Sequence, residues 1–262
     1  MKMSVIIPAR NEAGNVGPFV ERLRLRLDRA AIDYEILVVD DGSTDGTAAD
    51  ARAAGRGSPR VRVVSNTGRH GFGYAVRYGL DRFTGDAVAI MMADGSDDPD
   101  DIVRYFTILR DRAECAFGSR FIAGSHVENY PPVKLVINRL ANLFIRFLFN
   151  LRYNDVTNAF KAYRAYVIDG CRPLVSPHFN LTVELPLKAL VRGYSYEVVP
   201  ISWRTRQRGF SHLGLREMGS RYLFIVLYVW LEKLLTRGDY RRATPAPPEQ
   251  WPARKPPPIL DP

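Results

Sequence analysis

Five times before residue 125 an apolar run of strand length gives way to a short polar turn and then to residues with helical spacing. The runs are "MSVIIPA", "YEILVVD", "RVRVVS", "DAVAIMMAD" and "ECAFGSRF". Between them, residues 15–30 carry Val16, Phe19, Val20, Leu23 and Leu27 at helical spacing. Residues 44–54, the stretch "GFGYAVRYGLDRF" and Pro99 to Leu109 read as further helices. Strands that are apolar throughout belong in a parallel sheet covered on both faces. Their alternation with helices predicts a doubly wound α/β fold. Pro8 is read as the stop of the first strand, and Ser43 or Thr44 as the N-cap of the second helix.

In an open α/β sheet, ligands bind beyond the carboxyl ends of the strands. Three polar segments fall there: "PARNE" (8–12), "DDGSTDGT" (40–47) and "ADGSDDPDD" (93–101). Clustered carboxylates such as Asp40 and Asp41 cost free energy unless N–H donors or a cation face them. Turn and cap chemistry is the competing explanation for "DDGSTDGT", and a charged helix start the one favoured for Asp100 and Asp101. The glycines of "NTGRHGFG" allow backbone N–H groups to approach an anion. They do not form a dinucleotide fingerprint, because Gly71-Phe-Gly73 lacks the third glycine and opens no first βα unit.

Formal net charge is +9, which favours anionic partners without naming one. No nucleic-acid motif accompanies the charge. The four histidines lack zinc-site spacing, and the two cysteines fit a reducing compartment. Met1-Lys2-Met3 leads directly into a strand-like run that does not read as a signal peptide, and no apolar run reaches the ~18–20 residues of a membrane span. After residue 125, "PPVKLVINRLANLFIRFLFNLRY" is one long helix and roughly 215–236 a second. Residues 243–262 are proline-rich and expected to be disordered or extended. The domain expectation is therefore one unit over 1–242, with a half at 1–125, a second at 126–242, and a tail.

"VIIPARNE", "VVDDGSTDGT", "GFGYAVRYGL" and "GSRF" resemble the family 2 glycosyltransferases, whose fold is GT-A. "DVTNAFKAYR" (155–164), "FNLTVELPLKAL" (179–190) and "VPISWRTRQRGFSHL" (199–213) resemble the polyprenol-phosphate branch, the dolichol-phosphate mannose synthases among them. The resemblance spans about residues 3–235. It implies that Pro8, Ala9, Arg10, Asn11 and Glu12 line the nucleotide pocket with Val39, Asp40 and Ala93. It also implies that Asp41 accepts a hydrogen bond from the base and that Arg69 lies near the phosphates. Asp94 is the expected ligand of Mg²⁺ or Mn²⁺. Where the family carries Asp-x-Asp this chain has Met92-Ala93-Asp94, and a thioether is a poor ligand for a hard cation. Asp97 or Asp98 is the carboxylate available to help.

The implied reaction is an inverting transfer of a sugar from a nucleoside diphosphate to a polyprenyl phosphate. Mannose from GDP-mannose is the first expectation, a UDP-sugar the alternative. A lipid phosphate is already anionic, so the acceptor needs cations rather than a general base. Arg120 and Arg206 are expected to act on the phosphates together with Asp94. Lys134, Arg139, Asp155, Asn158, Glu184 and Ser211 are expected to line the acceptor region. A transferase to a soluble hydroxyl acceptor would instead need Asp97 or Asp98 as base, and a non-catalytic membrane module is a third reading. On the long helix, Lys134, Asn138, Asn142, Arg146 and Asn150 form a narrow polar stripe on an otherwise apolar surface. That distribution, and a similar one over Leu223 to Leu235, fits a helix pair buried in the core or at a dimer interface as well as helices lying in a lipid interface, and the resemblance favours the lipid interface. The expected location is peripheral, on the cytoplasmic membrane face, with a separate membrane-anchor subunit as the partner some relatives use.

Overall fold

The computed structural model describes residues 1–205, 215–242 and 251–252. Strands β1 (Lys2–Ala9), β2 (Asp33–Asp40), β3 (Val61–Ser65) and β4 (Ala87–Ile90) alternate with helices α1 (Val16–Arg29), α2 (Thr47–Ala54) and α3 (Phe72–Leu80). Helix α4 (Pro99–Asp111) leads to β5 (Cys115–Ser119), β6 (His126–Glu128) and α5 (Pro132–Phe149). The chain ends in β7 (Lys161–Arg164), α6 (Ala165–Gly170), α7 (Leu181–Val191), β8 (Tyr196–Pro200), β9 (Ser202–Arg204) and α8 (Leu215–Leu235).

The seven-stranded sheet has the order β3-β2-β1-β4-β7-β5-β8, and only β7 runs antiparallel to its neighbours. Strand side chains alternate between two cores, as the period of two demands. Met3, Val5, Ile7, Ile36, Val38 and Ala89 pack with α1, α2 and α4. Ile6, Leu37, Val39, Val88, Ile90 and Phe117 pack with α3 and with the helices of the second half. Strands β1, β2, β4 and β5 are covered on both faces, which is why each reads as one apolar run.

Three boundaries differ from expectation. Pro8 lies inside β1, which continues to Ala9. Helix α2 begins at Thr47 after Gly46, so neither Ser43 nor Thr44 caps it, and the Asp45 carboxylate accepts the Thr47 N–H instead. Strand β7, within "DVTNAFKAYR", is inserted between β4 and β5. Because it is antiparallel, its first residue, Lys161, stands opposite Ile90 and Phe117 near the C-terminal ends of β4 and β5. The 155–160 segment is thereby delivered to the same sheet edge as the turns after β1, β2 and β4. The β6–β9 ribbon lies there too, through a bridge between Asp97 and Trp203.

Candidate active site

The first two turns are sewn together. Asn11, at φ 54°, accepts the Thr44 N–H with its side-chain oxygen at 2.9 Å, and its own N–H reaches the Ser43 hydroxyl at 3.1 Å. The Glu12 N–H donates to Thr47 Oγ1 at 2.7 Å, and the Gly14 and Gly17 N–H groups to Asp50 Oδ2 at 2.9 and 3.2 Å. Ser43, Thr44, Asp45 and Thr47 therefore shape the loop that carries Arg10 to Glu12. The side chains of Ala9, Val39 and Ala93 are buried in the two cores, so these residues offer only backbone to a ligand.

Asp41 is nearly covered. Asn66 Nδ2 and the Gly71 N–H each donate to its carboxylate at 2.7 Å, and His70 Nδ1 lies 3.4 Å away. Neighbouring Asp40 accepts the Ser43 N–H at 3.3 Å. These donors offset the repulsion of adjacent acids. The Gly71 amide serves Asp41 and so is not directed at an anion. Gly73 has a packing reason: a methyl group there would fall 2.3 Å from the Ser176 carbonyl oxygen. Arg69 is exposed beside Tyr74, whose hydroxyl raises its pKa by hydrogen bonding.

After β4, Asp94 is half-buried and one of its oxygens accepts the Ser96 N–H at 3.0 Å. Asp98 caps α4 through the Asp100 N–H. Asp100 pairs with Arg26, while buried Asp101 holds Arg104 and the Ser202 N–H, tying α4 to β9. Asp97 is 2% exposed and accepts the Met92 N–H at 3.0 Å. Burial, reinforced by Asp94 and Asp101 and opposed by Arg120, pushes its carboxyl up to about 7. Sequence patterning did not separate it from Asp98, yet the two do different work.

Arg120 and Asp155 form a buried bidentate pair, with Nε and Nη2 at 2.9 and 2.7 Å from the two carboxylate oxygens. The Arg120 N–H also donates to Asp155, at 2.9 Å. Phe121, Tyr130 and Trp203 ring the guanidinium, 5.3 to 5.8 Å from centroid to Cζ. Burial opposes the charge, but Asp155 prevails and raises the Arg120 pKa. Lys161 is enclosed below. Its ammonium donates to the carbonyls of Val156, Asn158 and Thr182, and burial, opposed by Asp155, lowers it to about 7. A lysine at a strand start reads as a surface residue in sequence, so this role was missed. Asn158 is buried and donates to the Gly118 carbonyl at 3.1 Å.

Glu184 was expected in the acceptor region. It is fully buried, accepts the Val175 and Ser176 N–H groups at 2.8 and 2.7 Å, and pairs with Lys188 at 2.8 Å. Its carboxylate holds the loop that packs on Gly71 and Gly73, so it supports the site from behind rather than facing an acceptor. Lys134 and Arg139 are exposed on α5, with Arg139 4.7 Å over the Phe121 ring. Arg206 and Ser211 lie outside the described residues.

Helix α5 turns the middle of its polar stripe, Asn138 and Asn142, inward together with Ile145 and Phe149, while Lys134 and Asn150 at the ends of the stripe are exposed. Asn142 is 1% exposed, and it and Asn138 bond Thr157 Oγ1 at 3.0 and 2.7 Å. Val133, Val136, Ile137, Leu140, Leu143 and Phe144 are exposed, and Phe147 is 86% exposed. Leu223, Phe224, Leu231, Leu234 and Leu235 of α8 are exposed as well. No helix among the described residues is long and apolar enough to cross a membrane.

Residues 4–171 match the Glycosyl transferase family 2 domain. The polyprenol monophosphomannose synthase of Mycolicibacterium smegmatis is 34% identical over 216 residues, 80% of each chain. The undecaprenyl-phosphate mannosyltransferase of Micrococcus luteus is 32% identical over 225 residues, 82% of this chain and 88% of that one. The dolichol-phosphate mannosyltransferase of Pyrococcus furiosus is 35% identical over 81% of this chain and 59% of its own length. Among solved structures, the glucosyl-3-phosphoglycerate synthase of Mycobacterium tuberculosis, in complex with Mn²⁺ and UDP-glucose, superposes with a TM-score of 0.67 at 19% identity, covering 88% of this chain and 78% of that one. That likeness is one of fold.

Proposed function

The chain belongs to glycosyl transferase family 2 and is a glycosyltransferase, and on that premise we propose that it moves mannose from GDP-mannose to a polyprenyl phosphate at the cytoplasmic membrane face. The observation that carries the lipid acceptor is the inverted helix α5. A surface helix that turns amides inward and leucines outward is suited to an apolar environment. Arg139 on that helix touches Phe121, which touches Arg120, so the apolar surface adjoins the polar edge of the sheet.

In this reading Asp41 accepts an N–H of the base, Arg10 to Glu12 line the ribose and phosphates, and exposed Arg69 meets the diphosphate. Lys134 and Arg139, with Arg206 and Ser211, hold the acceptor phosphate. Its oxygen attacks the anomeric carbon in line as the nucleoside diphosphate departs, and no proton need be removed first. Arg120 presents Nη1, the nitrogen not bonded to Asp155, on the tyrosine side of its pocket. Asn158 and Asp155 keep that pocket in register.

The carboxylates fit a shared cation rather than a resident one. No cluster of three metal-ligating side chains exists among the described residues, and Met92 replaces one donor. Mg²⁺ is commonly held by one or two carboxylates plus substrate phosphates, which Asp94 and a diphosphate supply. When bound, the cation would neutralise charge on the leaving diphosphate.

The test is transfer of labelled sugar from GDP-mannose, and from a UDP-sugar panel, to a short polyprenyl phosphate, with Mg²⁺ or Mn²⁺ and then with chelator. A lipid-linked mannose product is expected, lost with chelator. Product only from a UDP-sugar would replace the donor. Nucleotide binding without a lipid-linked product from any donor would refute the acceptor.

A further inference from the structure

The His70 ring occupies an odd place. Gly42 has φ +72°, and a methyl group built on it would fall 2.6 Å from His70 Cε1, 2.9 Å from Nε2 and 3.0 Å from Nδ1. The three distances are nearly equal, so the imidazole lies broadside against the Gly42 backbone. A side chain at position 42 would collide with it, and Gly42 therefore serves two needs, the left-handed turn and the ring. From there Nδ1 reaches Asp41 Oδ1 at 3.4 Å.

The three donors to Asp41 are not equivalent. Asn66 Nδ2 is anchored twice, since it also donates to the Arg69 carbonyl at 2.8 Å, and the Gly71 donor is backbone. His70 contributes a long contact from a side chain that is 43% exposed, whereas the Asp41 side chain is 4% exposed. Its imidazole is thus the readily displaced part of the cover over this carboxylate. A planar ring presenting one N–H to the acid is also what a nucleobase edge presents.

We propose that His70 occupies the nucleobase subsite of the nucleotide-free protein, imitating the base at Asp41, and that donor binding exchanges one ring for the other. The proposal rests on Asp41 being the base-reading carboxylate. It makes His70 a specificity-determining residue. A base pays for entry by breaking the His70–Asp41 contact, so it must return an N–H of its own to Asp41. A base or analogue with only acceptors on that edge leaves Asp41 without its third donor and gains nothing from displacing the ring.

The experiment is calorimetric binding of GDP, UDP and inorganic pyrophosphate to the full chain and to three variants. For His70→Ala, nucleotide affinity should rise about 2- to 12-fold, the range given by one net hydrogen bond. Pyrophosphate, which has no base, should bind as before. His70→Phe keeps ring bulk over Gly42 without the N–H, and because the contact a base must break is gone, its nucleotide affinity should also exceed that of the parent. Weaker nucleotide binding by His70→Ala would mean that the ring contacts the bound base, and would overturn the exchange. Equal affinities for the parent and His70→Ala would overturn it too. Asp41→Ala separates the two layers. If it leaves GDP and UDP affinity unchanged, the base-reading assignment itself is wrong; if it weakens them while His70→Ala changes nothing, only the exchange fails.

Discussion

Asp97→Asn should stabilise this protein at neutral pH and not at acid pH. The Asp97 carboxyl is pushed from 3.8 to about 7 by burial beside Asp94 and Asp101. Between these values the folded chain holds a proton that the unfolded chain has released. Stability therefore falls as pH rises from about 4 to about 7, and the loss is complete above the folded value. A shift of about 3 units corresponds to a ceiling of about 4 kcal/mol, at 1.36 kcal/mol per unit. Asparagine removes the charge but keeps an oxygen to accept the Met92 N–H. The variant should match the parent near pH 4 and exceed it above pH 7. At ~2–4 °C per kcal/mol for a chain of this size, the gain in Tm is several degrees and at most about 15 °C. Thermal melts followed by circular dichroism from pH 4.5 to 8.5, with chelator and without nucleotide, would measure it. A difference independent of pH, or a variant less stable than the parent at pH 8, would refute the reasoning. If Asp97 also serves the site, the same variant will be more stable and less active, the exchange expected where a buried charge is kept for use.

Breaking the Arg120–Asp155 pair from one side, with Arg120→Met or Asp155→Asn, should cost about 3–5 kcal/mol. Urea titration should find the double variant closer to the parent than the two single losses summed. Leu140→Glu with Phe147→Glu should leave the melt nearly unchanged, because both side chains are exposed, and should lower co-sedimentation with anionic phospholipid vesicles. Met92→Asp adds a second carboxylate two residues from Asp94, and should tighten Mn²⁺ binding in the presence of GDP, read by calorimetry.

The first half of the fold was legible because its strands are covered on both faces. An apolar run such as Ile36 to Val39 leaves a parallel strand little alternative, and the binding of ligands beyond the carboxyl ends of such strands then directs attention to the residues that follow it. The roles within those turns were less legible. Ser43, Thr44 and Asp50 act on the neighbouring loop across more than thirty residues of sequence, a pairing that local turn chemistry does not reveal. Strand β7 was missed because "KAYR" is short, begins and ends in a cation, and pairs only with strands distant in sequence. For α5 the stripe itself was visible, but periodicity says which residues share a face and not which face meets the protein. The face that meets the protein carries Asn142 with Ile145 and Phe149, flanked by half-buried Asn138.

The position of β7 also sets the order in which the chain can be completed during synthesis. Strands β1 to β4 find their parallel partners among themselves, within the first 90 residues. β5 pairs only with β7 and β8, and neither has emerged when residue 125 leaves the ribosome. Until β7 arrives, β4 is an open edge and the Arg120 guanidinium has no Asp155 to neutralise it. A nascent chain halted there would be a four-stranded half-sheet trailing an unpaired apolar strand, a species that invites aggregation or chaperone capture. Residues 1–125 alone leave both β4 and β5 short of a partner, and the strand that joins them into one sheet is four residues laid in backwards.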